Sequence, residues 1–259
     1  MPTGPADRWV LAGRGELHLA ILIEKMRREG YEIEVSKPQV ILKEINSKKV
    51  EQIELVSIEV PEKYSGVVIE MMGKRRGVMK DMRVDKGNVS MDFAAPSRGL
   101  IGSRGEFLTN TKGTCIMNSI FLGYEEYKGK IQPETHGSLV ATESGVSDNY
   151  GLVNAQGRGR LFIGGGAPVY EGMVVGQNAR SGNIGVNVCK AKELTNFRGK
   201  NEGLEDQLEI PLNLTLEDAL AYIGDDEMVE VTPKSVRIRK TLLTENERKI
   251  AKRKVLFYS

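Results

Sequence analysis

The sequence predicts an α+β chain of several domains. Strand-like and helix-like runs follow one another as βαββαβ between about Glu51 and Lys130, one helix and strand precede them, and glycine-punctuated short strands follow. These three observations place the boundaries at 1–46, 47–130 and 131–259. At about 100–150 residues per domain, a chain of 259 residues accommodates this division.

The first element is "GRGELHLAILIEKMRREGYEIEV". Leu19, Leu22, Ile23 and Met26 recur at helical spacing, Glu24 can pair with Arg28 at i+4, and Gly30 stands where a helix C-terminus favours a left-handed residue. In the strand that follows, Tyr31, Ile33 and Val35 share one face until Pro38 interrupts it. One helix and one strand make half of a ferredoxin-like sandwich. Residues 1–46 therefore read as a truncated domain whose missing strands lie elsewhere or leave it exposed. The abrupt start "MPTGPADRWV" adds the expectation of a chain cut from a longer protein.

The middle segment reads as a complete ferredoxin-like sandwich. Val56, Ile58 and Val60 alternate along its first strand, and a Met-rich helix from about Val67 to Met72 ends in the basic tip "GKRRG". Val78 to Val84 leads through the turn "DKGN" into Val89, Met91 and Phe93 on one strand face. A second helix carries Phe107 and Leu108, and the run from Thr114 to Leu122 closes the unit. This order gives four antiparallel strands with both helices on one face.

After Lys130 glycines separate short runs such as "RLFIG", "MVVGQ" and "IGVNVCK", which predict a mainly β domain with a few short helices. Thr215 with Asp218, and Thr244 with Glu247, have the spacing of capping boxes and start the two helices expected near the end. Between them "MVEVTPKSVRIRK" reads as paired strands, with Val236 and Ile238 on one face and Arg237 and Arg239 on the other.

"PSRGLIGSRGEFLTNTKGT", from Pro96 to Thr114, concentrates glycines and cations and raises the question of a phosphate-binding loop. The P-loop pattern G-x-x-x-x-G-K-[ST] occurs nowhere: Gly73-Lys74, Gly129-Lys130 and Gly199-Lys200 are followed by Arg, Ile and Asn. "GGGAPVYEG", from Gly164 to Gly172, runs into Pro168 and a strand, whereas a dinucleotide fingerprint opens a helix. These glycines then either shape turns or let the backbone approach a larger polyanion. Cys115, Cys189, His18 and His136 lie far apart without metal-ligand spacing, so no metal site is expected, and the cysteines read as small apolar residues. No apolar run reaches the ~18 residues of a membrane span. Unpaired cysteine usage fits a cytoplasmic setting.

Net charge is only +2, so its distribution carries the information. Glu202 to Glu230 contains acidic residues and no basic one, whereas cations predominate from Lys234 to Lys254. Arg237, Arg239, Lys240, Arg248, Lys249, Lys252 and Arg253 form a candidate nucleic-acid tail, or simply a solvated face. Lys74, Arg75 and Arg76 at the helix tip, with Ser97, Arg98 and Arg104 in the Gly-rich segment, form a second candidate group, against which ordinary surface ion pairing stands as the alternative for Arg75 and Arg76.

Taken together, these segments resemble one family. "GRGELHLAILIEKMRREGYEIEV" with "QVILKEI" resembles the second half of domain III of translational GTPases of the elongation-factor-G class. "IELVSIEVPEKYSGVVIEMMGKRRG" through "PSRGLIGSRGEFLTNTKGT" resembles their domain V in the form found in the BipA/TypA family. "GRLFIGGGAPVYEGMVVGQNARSGNIGVNVCKAKELTNFR", "DDEMVEVTPKSVRIRK" and "LTENERK" resemble that family's own C-terminal domain.

The resemblance implies the non-catalytic, ribosome-binding portion of a GTPase concerned with large-subunit assembly and with growth under cold or stress. It implies contact with large-subunit rRNA. It also implies a loop near the A-site tRNA acceptor end, matching Lys190 to Gly203 here. GTP and magnesium would belong to a GTP-binding domain outside this chain, which itself would hold no cofactor and be monomeric. In that loop Lys190, Lys192, Arg198 and Lys200 can meet phosphate, Asn196 offers donors and acceptors, and Phe197 can stack on a base or tuck inward. Arg14 serves either RNA or an interdomain contact. Two rival readings are an RNA- or nucleotide-modifying enzyme built on the Gly-rich β domain, and a self-associating structural module.

Overall fold

The computed structural model describes residues 8–13, 15–131, 137–191 and 208–258. It is α+β, as the periodicities predict, and divides into two compact units: Met1–Lys37 with Thr135–Ser259, and Pro38–Glu134.

Helix α1 (Glu16–Arg28) ends as expected: Gly30 has φ of 95°, and the Tyr31 amide returns to the Met26 carbonyl at 3.1 Å. Strand β1 (Ile33–Ser36) follows. These two elements do not stand alone as the half sandwich expected for residues 1–46. Ala20 and Ile23 of α1 are buried in a core shared with Leu216, Leu220, Val229 and Val231, and Ile33 to Ser36 pair antiparallel with residues 231 to 228. An apolar helix face and an open strand edge both need partners, and residues from the far end of the sequence supply them.

The second unit begins with the hairpin β2 (Lys43–Ile45) and β3 (Lys48–Pro61), whose turn residues Asn46 and Ser47 both have positive φ. Helix α2 (Ser65–Lys74), β4 (Val78–Asp85), β5 (Asn88–Pro96), the short α3 (Ser97–Leu100), α4 (Ser103–Asn110) and β6 (Ile116–Glu126) complete it. The pairings give the order β6-β3-β5-β4, the ferredoxin-like arrangement. Val56, Ile58, Val60, Val89, Met91 and Phe93 face Val68, Met72 and Phe107 across the sheet–helix interface, each at most 2% exposed. Burying such side chains contributes about 1.5–3 kcal/mol each.

In the first unit β7 (Gly137–Ala141), β8 (Gly145–Val146), α5 (Asn149–Gln156), β9 (Gly159–Leu161), β10 (Pro168–Val169), β11 (Met173–Asn178) and β12 (Ile184–Val186) precede α6 (Leu216–Tyr222), β13 (Glu227–Val231), β14 (Val236–Lys240) and α7 (Glu245–Tyr258). One sheet runs β1-β13-β14-β11-β7-β12 with β9 also on β11; β8 and β10 form a separate pair. Both capping boxes are present. Thr215 Oγ1 accepts from the Asp218 amide at 3.2 Å, and Thr244 Oγ1 from the Glu247 amide at 3.3 Å. Helix α5 was not expected from "NYGLVNAQG"; Asp148 caps it, its side chain accepting from the Tyr150 amide at 2.9 Å.

Candidate nucleic-acid interface

The Gly-rich segment Pro96–Thr114 forms the end of β5, α3, α4 and the turn into β6. Gly102 has φ of 70°, a left-handed residue between two helices, and a Cβ on Gly99 would lie 3.0 Å from the Arg75 carbonyl oxygen. Two of its glycines therefore serve a turn and a close approach of α3 to the tip of α2. The loop after Gly164 is tied to Ser147, whose Oγ donates to the Gly164 carbonyl at 2.7 Å and accepts from the Ala167 amide at 2.9 Å, while the Ser147 carbonyl accepts from the Gly166 amide at 2.9 Å.

The structure separates the arginines of the second unit, for two of which, Arg75 and Arg76, ion pairing was the alternative. Arg98 turns inward, forming a two-pronged ion pair with Glu51, which is 1% exposed, and also donating to the Gly129 carbonyl. Its guanidinium lies 4.6 Å from the Tyr127 ring centroid. Arg75 pairs with Glu106, donates to the Met71 carbonyl at 3.0 Å and stands over the Phe107 ring. Each arginine is held by a carboxylate, Arg98 by Glu51 of β3 and Arg75 by Glu106 of α4, so Arg98 is not displayed as expected and Arg75 follows its ion-pairing alternative. Ser97 is also buried, its Oγ without a protein partner. Lys74 pairs with Glu70 at 3.1 Å on the surface.

Arg76 and Arg104 differ. Both are exposed, and neither makes an ion pair or side-chain hydrogen bond among the described residues. Arg76 has φ of 62°, so the chain reverses at the α2 tip and this residue no longer follows the helix. The Arg75–Glu106 pair joins α2 to α4, and Arg104 sits two residues before Glu106. Each free arginine thus stands within roughly 6 Å, Cα to Cα, of one member of a fixed pair. Lys112, with φ of 53° and an exposed side chain at the end of α4, is a further cation that the sequence did not single out.

The tail divides in the same way. Lys240 is 1% exposed and held by Asp226 at 2.8 Å and Glu227 at 2.9 Å. Glu227 also accepts from Ser138 Oγ at 2.6 Å, and Ser138 meets the Tyr222 hydroxyl at 3.2 Å. Burial pushes the Tyr222 hydroxyl up to about 12; the Ser138 hydrogen bond opposes this and the Glu227 charge adds to it. Arg239 pairs with Glu34 of β1. Arg237 lies half-buried on the same face of β14, and Glu230 accepts from the Tyr170 hydroxyl at 2.9 Å. Arg248 donates to the carbonyls of Leu242 and Leu243, and Lys249 pairs with Glu245 at 2.7 Å. Lys252 and Arg253 stay exposed on α7.

Lys190 is exposed, one residue before the described stretch ends at Ala191. Lys192, Asn196, Phe197, Arg198 and Lys200, together with Arg14 and His136, lie outside the described residues. Cys115 is buried in the second unit's core and burial pushes its thiol up; the Cys189 thiol is raised for the same reason and by the Glu143 charge. Neither resembles an activated nucleophile. Among the described residues no metal-binding cluster of His, Cys, Asp and Glu occurs, and no helix is long and apolar enough to cross a membrane.

Comparison with known proteins matches both regions. Residues 48–135 match the elongation factor G C-terminus, and residues 136–245 match the TypA/BipA C-terminal domain. The chain belongs to the TypA/BipA family. It is 46% identical over 256 residues to the large ribosomal subunit assembly factor BipA of Bacillus subtilis, covering 98% of this chain and 42% of that protein. Against the protein of that name from Escherichia coli K12 the identity is 46% over 253 residues, covering 97% and 42%. For the Synechocystis protein it is 47% over 236 residues, covering 91% and 40%. The chain thus spans about two fifths of the length of these BipA relatives. The first family-model boundary, at 135/136, falls close to the division between the structural units at Glu134.

Proposed function

We propose that this chain is a ribosome-docking module of a translational GTPase, acting in large ribosomal subunit assembly as its relatives' names state. Its task is to hold large-subunit rRNA, and it performs no chemistry and holds neither GTP nor magnesium itself. One observation carries this reading: Arg76 and Arg104 project unpaired from a scaffold whose neighbouring arginines are locked inward by Glu106 and Glu51. A fixed pair of solvated cations meets phosphates without first breaking an internal ion pair. Lys112, Lys252 and Arg253 extend the exposed positive charge. The segment from Lys190 to Gly203 reaches toward the acceptor end of an A-site tRNA, where Phe197 stacks and the lysines meet phosphate. Such a module works in the cytoplasm, where ribosomes are assembled.

Each phosphate contact releases counterions, so binding weakens steeply as salt rises. Co-sedimentation of the chain with purified large subunits at increasing salt tests this. Retention at low salt that falls by orders of magnitude over a fourfold rise in salt is expected, with no measurable GTP binding in a parallel titration. Salt-independent retention, or micromolar GTP affinity, contradicts the proposal.

A further inference from the structure

A carboxylate beside RNA-binding cations weakens the attraction for phosphate, so its presence there needs a physical reason. Glu106 lies two positions after Arg104 on α4. Two positions are about 200° of helical rotation, so the carboxylate turns toward α2 while the Arg104 guanidinium leaves on the opposite flank. The tip of α2 is divided in the same manner. Arg75, which caps the helix, has φ of −89° and Arg76 has φ of 62°, so the first side chain turns inward and the second outward. The inward partners are firmly held. Arg75 donates to the Met71 carbonyl at 3.0 Å, pairs with Glu106 and lies 5.5 Å from the Phe107 ring centroid. Met71 and Phe107 belong to the buried core, and the side chains of Arg75 and Glu106 are only 11% and 20% exposed. Salt screens an ion pair so enclosed much less than it screens the displayed arginines.

We propose that Glu106 is a positioning residue for RNA, a role that rests on the docking proposed above. It touches no phosphate itself. By holding Arg75 it fixes the tip of α2 against α4, and so fixes the spacing at which Arg76 and Arg104 are displayed. Cations on a loose helix tip also meet phosphates, but ordering them on binding costs affinity, whereas a clamped pair is ordered beforehand. The carboxylate thus contributes more by holding the clamp than it costs by repelling RNA.

Co-sedimentation of the full chain with purified large subunits over a salt series separates holding from repulsion, because the two have opposite signs. Glu106→Ala makes the chain more positive, so a carboxylate that only repels RNA would give tighter binding on removal. A positioning carboxylate gives the reverse: weaker binding at every salt concentration, and a slope of log affinity against log salt shallower by about 0.7–0.9, the value of one phosphate contact. Glu106→Gln, which keeps an acceptor for Arg75, should fall between the two and takes the place of Glu106→Ala if circular dichroism shows that variant unfolded. Arg75→Met with Glu106→Leu exchanges the ion pair for apolar packing at unchanged net charge and should restore the slope of the parent. A folded Glu106→Ala that binds as tightly as the parent or tighter overturns the proposal, as does a shallow slope for the paired replacement. Unchanged binding after Arg76→Ala with Arg104→Ala would instead overturn the docking itself, and the role of Glu106 with it.

Discussion

Arg98→Ala is expected to destabilise the unit Pro38–Glu134 by about 3–5 kcal/mol, because it leaves a buried carboxylate without its counter-charge. Glu51 is 1% exposed, and Arg98 meets both of its oxygens. Once Arg98 is gone, the Lys128 amide at 2.7 Å remains as a neutral donor to that carboxylate. The Gly129 carbonyl also loses a donor, and the Tyr127 ring loses its cation. Set against a total stability of about 5–15 kcal/mol, this is roughly a fifth or more of what holds such a domain. For a unit of this length the melting temperature should fall by about 12 °C or more. Arg104→Ala, at an exposed unpaired side chain, should stay within about 0.5 kcal/mol of the parent. Urea unfolding followed by far-ultraviolet circular dichroism measures both. The double change Glu51→Gln with Arg98→Met should recover much of the loss, since both members of the pair are then neutral. An Arg98→Ala midpoint indistinguishable from that of Arg104→Ala would refute the reasoning and return Arg98 to the displayed cations.

Two smaller perturbations follow from the first unit. The Tyr222 hydroxyl is raised from 10.0 to about 12, so the folded state keeps a proton that the unfolded state releases; stability is complete below 10.0 and is lost as pH rises toward about 12. The loss should amount to up to about 2–3 kcal/mol, and Tyr222→Phe should flatten that part of the alkaline stability profile measured by urea unfolding. Thr215→Ala removes the capping box of α6 and should cost about 1 kcal/mol in the same assay, whereas Thr215→Ser should restore most of it.

Local periodicity made most elements legible. Val56, Ile58 and Val60 alternate, Gly30 ends its helix, and Thr215 begins another, because each signal is set by residues within a few positions of one another. What stayed hidden depends on distant partners. Glu51 stands 47 positions from Arg98, and nothing near "PSRGL" shows that a buried carboxylate will claim that arginine. Arg75 and Glu106 are 31 positions apart and conceal themselves similarly. The pairing of Ile33–Ser36 with Met228–Val231 joins residues nearly 200 positions apart, so the helix and strand that read as half a domain belong to one unit with the C-terminal residues. Helix α5 was masked by Gly151 and Gly157, which depress helical propensity while Leu152 and Ala155 pack inward.

The salt dependence of large-subunit binding, compared between two paired replacements, tests most directly the claim that the displayed cations and not the locked ones hold RNA. Removing Arg76 and Arg104 together should reduce the steepness of log affinity against log salt by about 1.4–1.8, the value for two phosphate contacts. Glu51→Gln with Arg98→Met should leave that slope as in the parent. An unchanged slope for the first pair, or a flattened slope for a folded second pair, would contradict the account.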